Sequence, residues 1–194
     1  EIIEEYGADT LRLYEMFMGP FDKDKIWNTA ALSGCLRFLH RFYTMATSDK
    51  VVESADIAGV KLAHRLCFSL RKDLEEMGFN TCISHMMSFL NVFIPLPIYP
   101  KIAVLMAVQA LYPFAPHIAE ELWEKLGQKN TISYAPLFAI DKAYLEDKEV
   151  TYVVQVNGKL RANLLLDKDS DKEEVIKKAL VHQKIEKYLT NPIA

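Results

Sequence analysis

The sequence predicts a mainly α protein, an antiparallel helix bundle followed by a small α/β unit made of a hairpin and a helix. Three observations predict it. Apolar residues recur at helical spacing through most of the chain, as in Leu62, Leu66, Leu70 and Leu74, the pattern of helices that bury one face. Turn signals, among them Gly19-Pro20, Gly78, Pro95, Pro97, Pro100 and Gly127, divide that pattern into separate segments. From Thr151 the period changes to two, with Tyr152, Val154 and Val156 followed by Leu160, Ala162, Leu164 and Leu166, which is how paired strands read. The change of period puts a boundary near Glu149, between a bundle over 1–148 and an α/β unit over 149–194.

Each element has its own signals. Asp9 is placed to cap a first helix carrying Leu11, Leu13, Tyr14 and Phe17, which Gly19 and Pro20 stop. A charged connector follows, and Asn28 or Thr29 can cap a long helix lined by Leu32, Leu36, Leu39 and Phe42. Ser48 to Ser54 reads as a loop. The Leu62–Leu74 helix ends at Gly78, and Asn80 can cap the next, whose buried face would include Ile83, Met87, Leu90 and Ile94. The three prolines then force an extended crossover, after which Ile102, Leu105, Met106 and Val108 begin another helix. LYPFAPHIAEELWEKLG, residues 111–127, contains a break at Pro113, a helix start at Pro116 and a stop at Gly127. Ile118, Leu122 and Leu126 form its stripe, with Trp123 beside them. A looser segment runs to Asp147.

The hairpin over Thr151–Asp167 poses a problem of parity. A two-residue turn at Asn157-Gly158 would set Val154 against Arg161 and mix apolar with charged residues on one face. A three-residue loop, Val156 to Gly158 with Gly158 as a bulge, instead pairs Val154 with Leu160 and Tyr152 with Ala162. It places Lys159 and Arg161 with Gln155 on the solvent side. Ser170 and Glu173 have capping-box spacing ahead of a last helix with Val175, Ile176, Ala179 and Leu180, expected to break or fray before Pro192. A hairpin under one helix is a thin core, so a further strand is expected beyond Ala194. The start without methionine, in what reads as a continuing helical unit, likewise implies a piece of a longer protein.

Composition narrows the function. With 194 residues, 51% hydrophobic and 25% charged, the chain reads as an ordinary globular protein. No apolar run approaches the roughly 20 residues of a membrane helix, and no signal peptide precedes the first helix, so a cytoplasmic protein without a membrane partner is expected. A net charge of −3 argues against wholesale coating of nucleic acid but permits a local basic patch. Cys35, Cys67 and Cys82 are odd in number and widely spaced, the pattern of small buried residues in a reducing compartment rather than of disulfides or a zinc cluster.

Chemical motifs are sparse. P-loop, HExxH, GxSxG and Rossmann glycine patterns are absent. HIAEE, 117–121, comes within one residue of an HxxEH metal pattern, but Glu121 stands where the second His is needed, and a hydrolase built on His117 and Glu120 has no nucleophile. Neither a catalytic nor a metal or cofactor site is therefore assigned. What remains is basic: Arg37 and Arg41, adjacent on one helix with His40 nearby, and the hairpin edge NGKLR, where Asn157, Lys159 and Arg161 could meet phosphates. The competing reading of both is a solvated, solubilising face.

Five stretches together carry a resemblance: EYGADTLRLYEMFMGP, WNTAALSGCLRFLHRFY, FNTCISHMMSFLN, LYPFAPHIAEELWEKLG and YVVQVNGKLRAN. In this order they resemble bacterial leucyl-tRNA synthetases across almost the whole chain. PFAPHIAEELW alone is similar to the wider leucine, isoleucine and valine branch of class I synthetases; VQVNGKLR points to leucine. The resemblance implies a C-terminal portion, an anticodon-binding-type bundle followed by part of a tRNA-binding C-terminal domain. Neither HIGH nor KMSKS occurs, so it implies that ATP, Mg2+, the synthetic site and the editing domain belong to the rest of the full-length chain. The implied partners are tRNA(Leu) and those catalytic and editing domains; Lys159 and Arg161 match the family's hairpin motif, and together with Arg37, Arg41 and Asn157, read from spacing and charge, they are the expected tRNA-binding residues of a chain expected to be monomeric. Two positions depart from many relatives: Ala162 where Gly is common after the hairpin arginine, and Ala135 where Trp is common before proline. An isoleucyl or valyl relative, and a helical protein-interaction module that binds no RNA, stand as alternatives.

Overall fold

The computed structural model describes residues 1–20, 22–54, 56–146, 149–168 and 170–189. They divide into two compact units, Glu1–Leu145 and Glu146–Ala194, the first of helices and the second a hairpin with short helices, as the fold class expected. Among the described residues no helix is long and apolar enough to cross a membrane.

The first unit opens with α1 (Ile2–Tyr6) and α2 (Ala8–Phe17), joined at Gly7, whose φ of 85° suits a residue without Cβ. Gly7 occupies the cap position of α2, so Asp9 does not cap its own helix. In α3 (Thr29–Ala46) the expected cap forms, the Asn28 side chain accepting from Ala30 N–H at 3.1 Å. Leu32, Cys35, Phe38, Leu39, Phe42 and Met45 are buried along it, while Leu36 is half-buried. Asp56 accepts from Gly59 N–H and starts α4 (Ile57–Glu75). The deepest stripe of α4 is Ala63, Leu66 and Leu70, with Leu62 and Leu74 half-buried at its edges.

The turn into α5 (Phe79–Phe93) differs from expectation. Met77, not Gly78, takes the left-handed conformation at φ 59°, and Gly78 N–H donates to Asp73 O at 2.7 Å, the bond that closes a helix after such a residue. Gly78 is there for space: a Cβ would lie 2.8 Å from Thr81 Oγ1 and 3.2 Å from Asp73 O. Gly78 is also the cap position of α5, which puts Asn80 inside the helix. Cys82, Ile83, Met86, Phe89, Leu90 and Phe93 are buried, so the core face is turned relative to the expected one and Met87 and Ile94 sit at its margin.

The crossover is stitched to the loop before α4. Val51–Val52 (β1) and Tyr99–Pro100 (β2) pair in parallel. Pro100 lies against the first turn of α4, where a Cβ on Gly59 would come 2.7 Å from its ring. α6 (Lys101–Leu111) follows, with Ala103 through Val108 and Leu111 all buried; it packs on α4 and α7 (Pro116–Lys125). α7 ends as expected at Gly127, φ 83°, with Gln128 N–H donating to Trp123 O.

Among its described residues the segment after α7 has no long helix, only short 3-10 turns at Ile132–Tyr134 and Lys142–Tyr144, yet it is strapped down. The Gln109 amide donates to Pro136 O and accepts from Phe138 N–H, both at 3.0 Å. Arg71 donates to Phe138 O at 2.6 Å, and the ring of Tyr144 stacks on His64. The three cysteines are free, Cys35 and Cys82 buried and Cys67 half-buried, and burial pushes each thiol up to about 11.

In the second unit β3 (Glu149–Val156) and β4 (Lys159–Asp167) form the hairpin, but in a different register from the expected one. Asn157 and Gly158, at φ 52° and 74°, make a two-residue turn of the kind that requires positive φ at both positions. Val156 pairs with Lys159, Gln155 with Leu160, Val154 with Ala162 and Tyr152 with Leu164. Parity is corrected not in the loop but by a bulge, with Arg161 the extra residue between two paired positions. Ala162, Leu164 and Leu166 thereby stay on the buried side. α8 (Lys172–Leu180) is capped by Asp171, which accepts from Glu174 N–H at 2.8 Å, rather than by Ser170. The expected single helix breaks after Val181, and α9 (Gln183–Leu189) supplies Ile185 to the small core. Val175 and Ala179 of α8 are half-buried, while Ile176 and Leu180 are exposed. Pro192 and the strand expected past Ala194 lie outside the described residues.

Candidate nucleic-acid interface

The polar groups of α7 turn to different partners. Ala115 at the cap position of α7 has no side-chain acceptor, and Asp9 of α2 supplies one. Its Oδ2 accepts from Ile118 N–H at 2.8 Å, and its Oδ1 lies 3.4 Å from His117 N and 2.8 Å from His117 Nδ1. One turn along α2, Arg12 donates to Pro113 O at 3.1 Å. Glu120 accepts from the Thr131 hydroxyl and from Ile132 N–H. Burial pushes its carboxyl up, but hydrogen bonds from Thr131, Ile132 and Ser133 outweigh that and hold it below the usual carboxylate range. Glu121 accepts from Tyr43 OH at 3.0 Å, reaching α3. These groups are joints between elements. Sequence reasoning missed Asp9 and Arg12 in this role; the available signal was a helix beginning at Pro116 with no Ser, Thr, Asp or Asn before it.

Arg37 and Arg41 are both exposed on α3. The Arg41 guanidinium donates to Asn91 Oδ1 of α5 at 2.9 Å. Beside it opens a groove of about 390 Å³ lined by His40, Arg41, Thr44, Ser48, Ile94 and Tyr99. Lys50 Nζ donates to Leu96 O at 3.0 Å and lies 5.1 Å from the centre of the Tyr99 ring. The structure thus gathers Arg41, His40 and Lys50 around one crossover.

The hairpin residues separate. Asn157 makes the turn, and Lys159 next to it is exposed. Arg161 does not share a solvent face with Gln155, which the bulge sets opposite Leu160. It is half-buried with its guanidinium 4.6 Å from the centre of the Tyr188 ring, and its Nε is buried without a hydrogen-bond partner among the described residues.

Residues 101–176, from α6 through the hairpin into α8, match the family model for the anticodon-binding domain of tRNA ligase. This stretch is thereby similar to the anticodon-binding part of tRNA ligases. Over 97% of its length the chain is also 51% identical to the leucine–tRNA ligase of Protochlamydia amoebophila, and equally so to that of Chlamydia caviae. The fold matches a crystal structure described as a LeuRS–tRNA–LeuAMS ternary complex from Agrobacterium radiobacter, with a TM-score of 0.75 and 22% identity over 97% of this chain and 27% of that one. Along almost its whole length the chain therefore corresponds to a segment of leucine–tRNA ligases, and the isoleucyl and valyl alternatives are not favoured. It spans 22% and 23% of the two ligases' length.

Proposed function

We propose that this chain holds tRNA(Leu) for an aminoacylation reaction performed by the remainder of a leucine–tRNA ligase. In the full-length enzyme leucine is activated with ATP and Mg2+ as leucyl-adenylate and passed to the tRNA end; this segment contributes binding and orientation, without a synthetic or editing site of its own. The helical unit, 1–148, is the anticodon-binding-type domain, and 149–194 is part of a C-terminal tRNA-binding domain. Arg37, Arg41, Asn157, Lys159 and Arg161 are the tRNA contacts. The other partners are the catalytic and editing domains of the same monomeric, cytoplasmic chain. The observation that carries this reading is the 51% identity sustained over 97% of the chain.

Phosphate contacts release counterions, so affinity should fall as salt rises, by close to one unit of log-log slope for each phosphate neutralised. Fluorescence anisotropy with a tRNA(Leu) transcript, from about 50 to 200 mM salt, should show this fall for the wild-type chain. Lys159→Ala with Arg161→Ala should flatten the slope by about one to two. No binding at low salt, or binding indifferent to salt, overturns the reading.

A further inference from the structure

We propose that the groove beside Arg41, where the C-terminal turn of α3 meets the β2 crossover, is a subsite for one phosphodiester of bound RNA, with Arg41 as the anion contact and Asn91 as the residue that aims it. The proposal rests on the tRNA-binding reading above and gives that reading a location.

Charge segregation is the first observation. The chain has 26 Asp and Glu, yet none lies between Lys25 and Ser48 or between Met77 and Ala119. Those two stretches build α3, α5, the crossover and all the residues lining the groove. Asp49, in the turn after Ser48, is the first carboxylate reached along the chain. The groove's walls carry Arg41 and His40 and no carboxylate, so in a protein of net charge −3 an anion meets a cation there without an acid in the same lining.

Preorganisation is the second. Guanidinium carries five donors, and the bond to Asn91 Oδ1 at 2.9 Å uses one nitrogen while fixing the plane of the rest. Two hydroxyls of the groove donate elsewhere, Thr44 Oγ1 to His40 O and Tyr99 OH to Ile94 O, while Ser48 Oγ accepts from Lys50 N–H and keeps its own proton to donate. Arg41 is the charged donor of the wall and so the anion contact, with His40 and the Ser48 hydroxyl beside it. Ile94 and Tyr99 make the remaining wall apolar, which suits the sugar between two phosphates rather than a free, fully hydrated anion. Arg37, about 6 Å back along the helix axis from its spacing of four residues, extends the same edge towards the next phosphate.

The test compares Arg41→Ala, Asn91→Ala and Lys129→Ala with wild type, each titrated with a tRNA(Leu) transcript across salt and checked for an unchanged thermal transition. Arg41→Ala should weaken binding about five- to tenfold at low salt and lower the slope by about one. Asn91→Ala keeps the charge but frees the guanidinium, so affinity should drop about two- to fivefold at unchanged slope; a merely structural role would not separate the two quantities. Lys129→Ala, in the loop after α7, should change neither. Inorganic phosphate at millimolar concentration should shift the Arg41 side-chain NMR signals far less than the transcript does. If wild type binds in a salt-dependent way and Arg41→Ala binds with the same affinity and slope, the subsite is overturned while the tRNA-binding reading stands. If wild type does not bind, both fall. Equal shifts with inorganic phosphate would make the groove a simple anion site and overturn the phosphodiester assignment.

Discussion

Asp9 shows how one side chain joins two elements. Its carboxylate is largely buried, 11% exposed, and meets two backbone N–H groups at the positive end of α7 together with the His117 ring. Helix N-termini leave such donors without intrahelical partners, and a carboxylate there gains from the helix dipole as well as from the bonds. Asp9→Ala strands both donors, so it should destabilise the helical unit by about 1–3 kcal/mol. Asp9→Asn should cost less, since an amide oxygen still accepts but carries no charge. His117→Ala removes only a partner that is 74% exposed and should cost no more than about 1 kcal/mol. Urea unfolding followed by circular dichroism checks the order; equal midpoints for Asp9→Ala and wild type would show that the cap supports nothing. The sequence did mark Asp9 as a capping residue. What it left illegible was the partner, because a cap supplied across the fold has no fixed spacing, whereas the local caps at Asn28 and Asp56 sit beside the helices they start.

At the scale of elements, the segment after α7 lacks any helical period and is held by side chains reaching out of regular helices. Glu120 ties it to α7, Gln109 to α6, and Arg71 to α4. Glu120 makes one of these ties pH-dependent. Its carboxyl is held below the ordinary value in the fold and returns to it on unfolding, so the stabilisation is present above the ordinary carboxylate range and is lost as pH falls through the lowered value. Wild type should therefore lose stability on acidification more steeply than Glu120→Gln. Urea midpoints between about pH 6 and pH 3 measure it, and parallel curves for the two proteins would count against the tie. The same scale shows why some elements were read correctly and others were not. Helix stripes repeat several times, so Leu32, Leu39 and Phe42 or Leu66 and Leu70 could be recognised even where the face was turned by a residue. A bulge occurs once. Asn157-Gly158 carried the signal for a two-residue turn, and the parity conflict at Arg161 was real, but it is resolved by an extra residue in the strand, for which no periodic signal exists. That bulge also moves Arg161 onto Tyr188, so of the two basic hairpin residues expected at the surface Lys159 is exposed and Arg161 is half-buried.

For the molecule as a whole, the distribution of buried residues decides what can fold alone. The large apolar core draws on residues from Leu13 to Ile132, with Ala135 and Phe138 packed against it. The hairpin contributes Ala162, Leu164 and Leu166 to a separate cluster with Ile185. Cooperative unfolding follows shared burial, so a chain ending at Leu145 should keep the helical far-ultraviolet spectrum and the main thermal transition of the 194-residue protein to within about 2–4 °C. The hairpin unit, whose two-stranded sheet is covered by short helices that leave Ile176, Leu180 and Val181 exposed, should melt earlier within the intact chain. Hydrogen exchange separates them: amides of α6, which is buried from Ala103 through Val108, should exchange last, and those of β3 and β4 well before. Loss of the helical transition in the shortened chain, or equal protection of α6 and the hairpin, would mean that the two cores unfold as one. If they unfold separately, the salt slope of the proposed tRNA binding should divide as well, with the shortened chain retaining the contribution proposed for Arg41 and losing that proposed for Lys159.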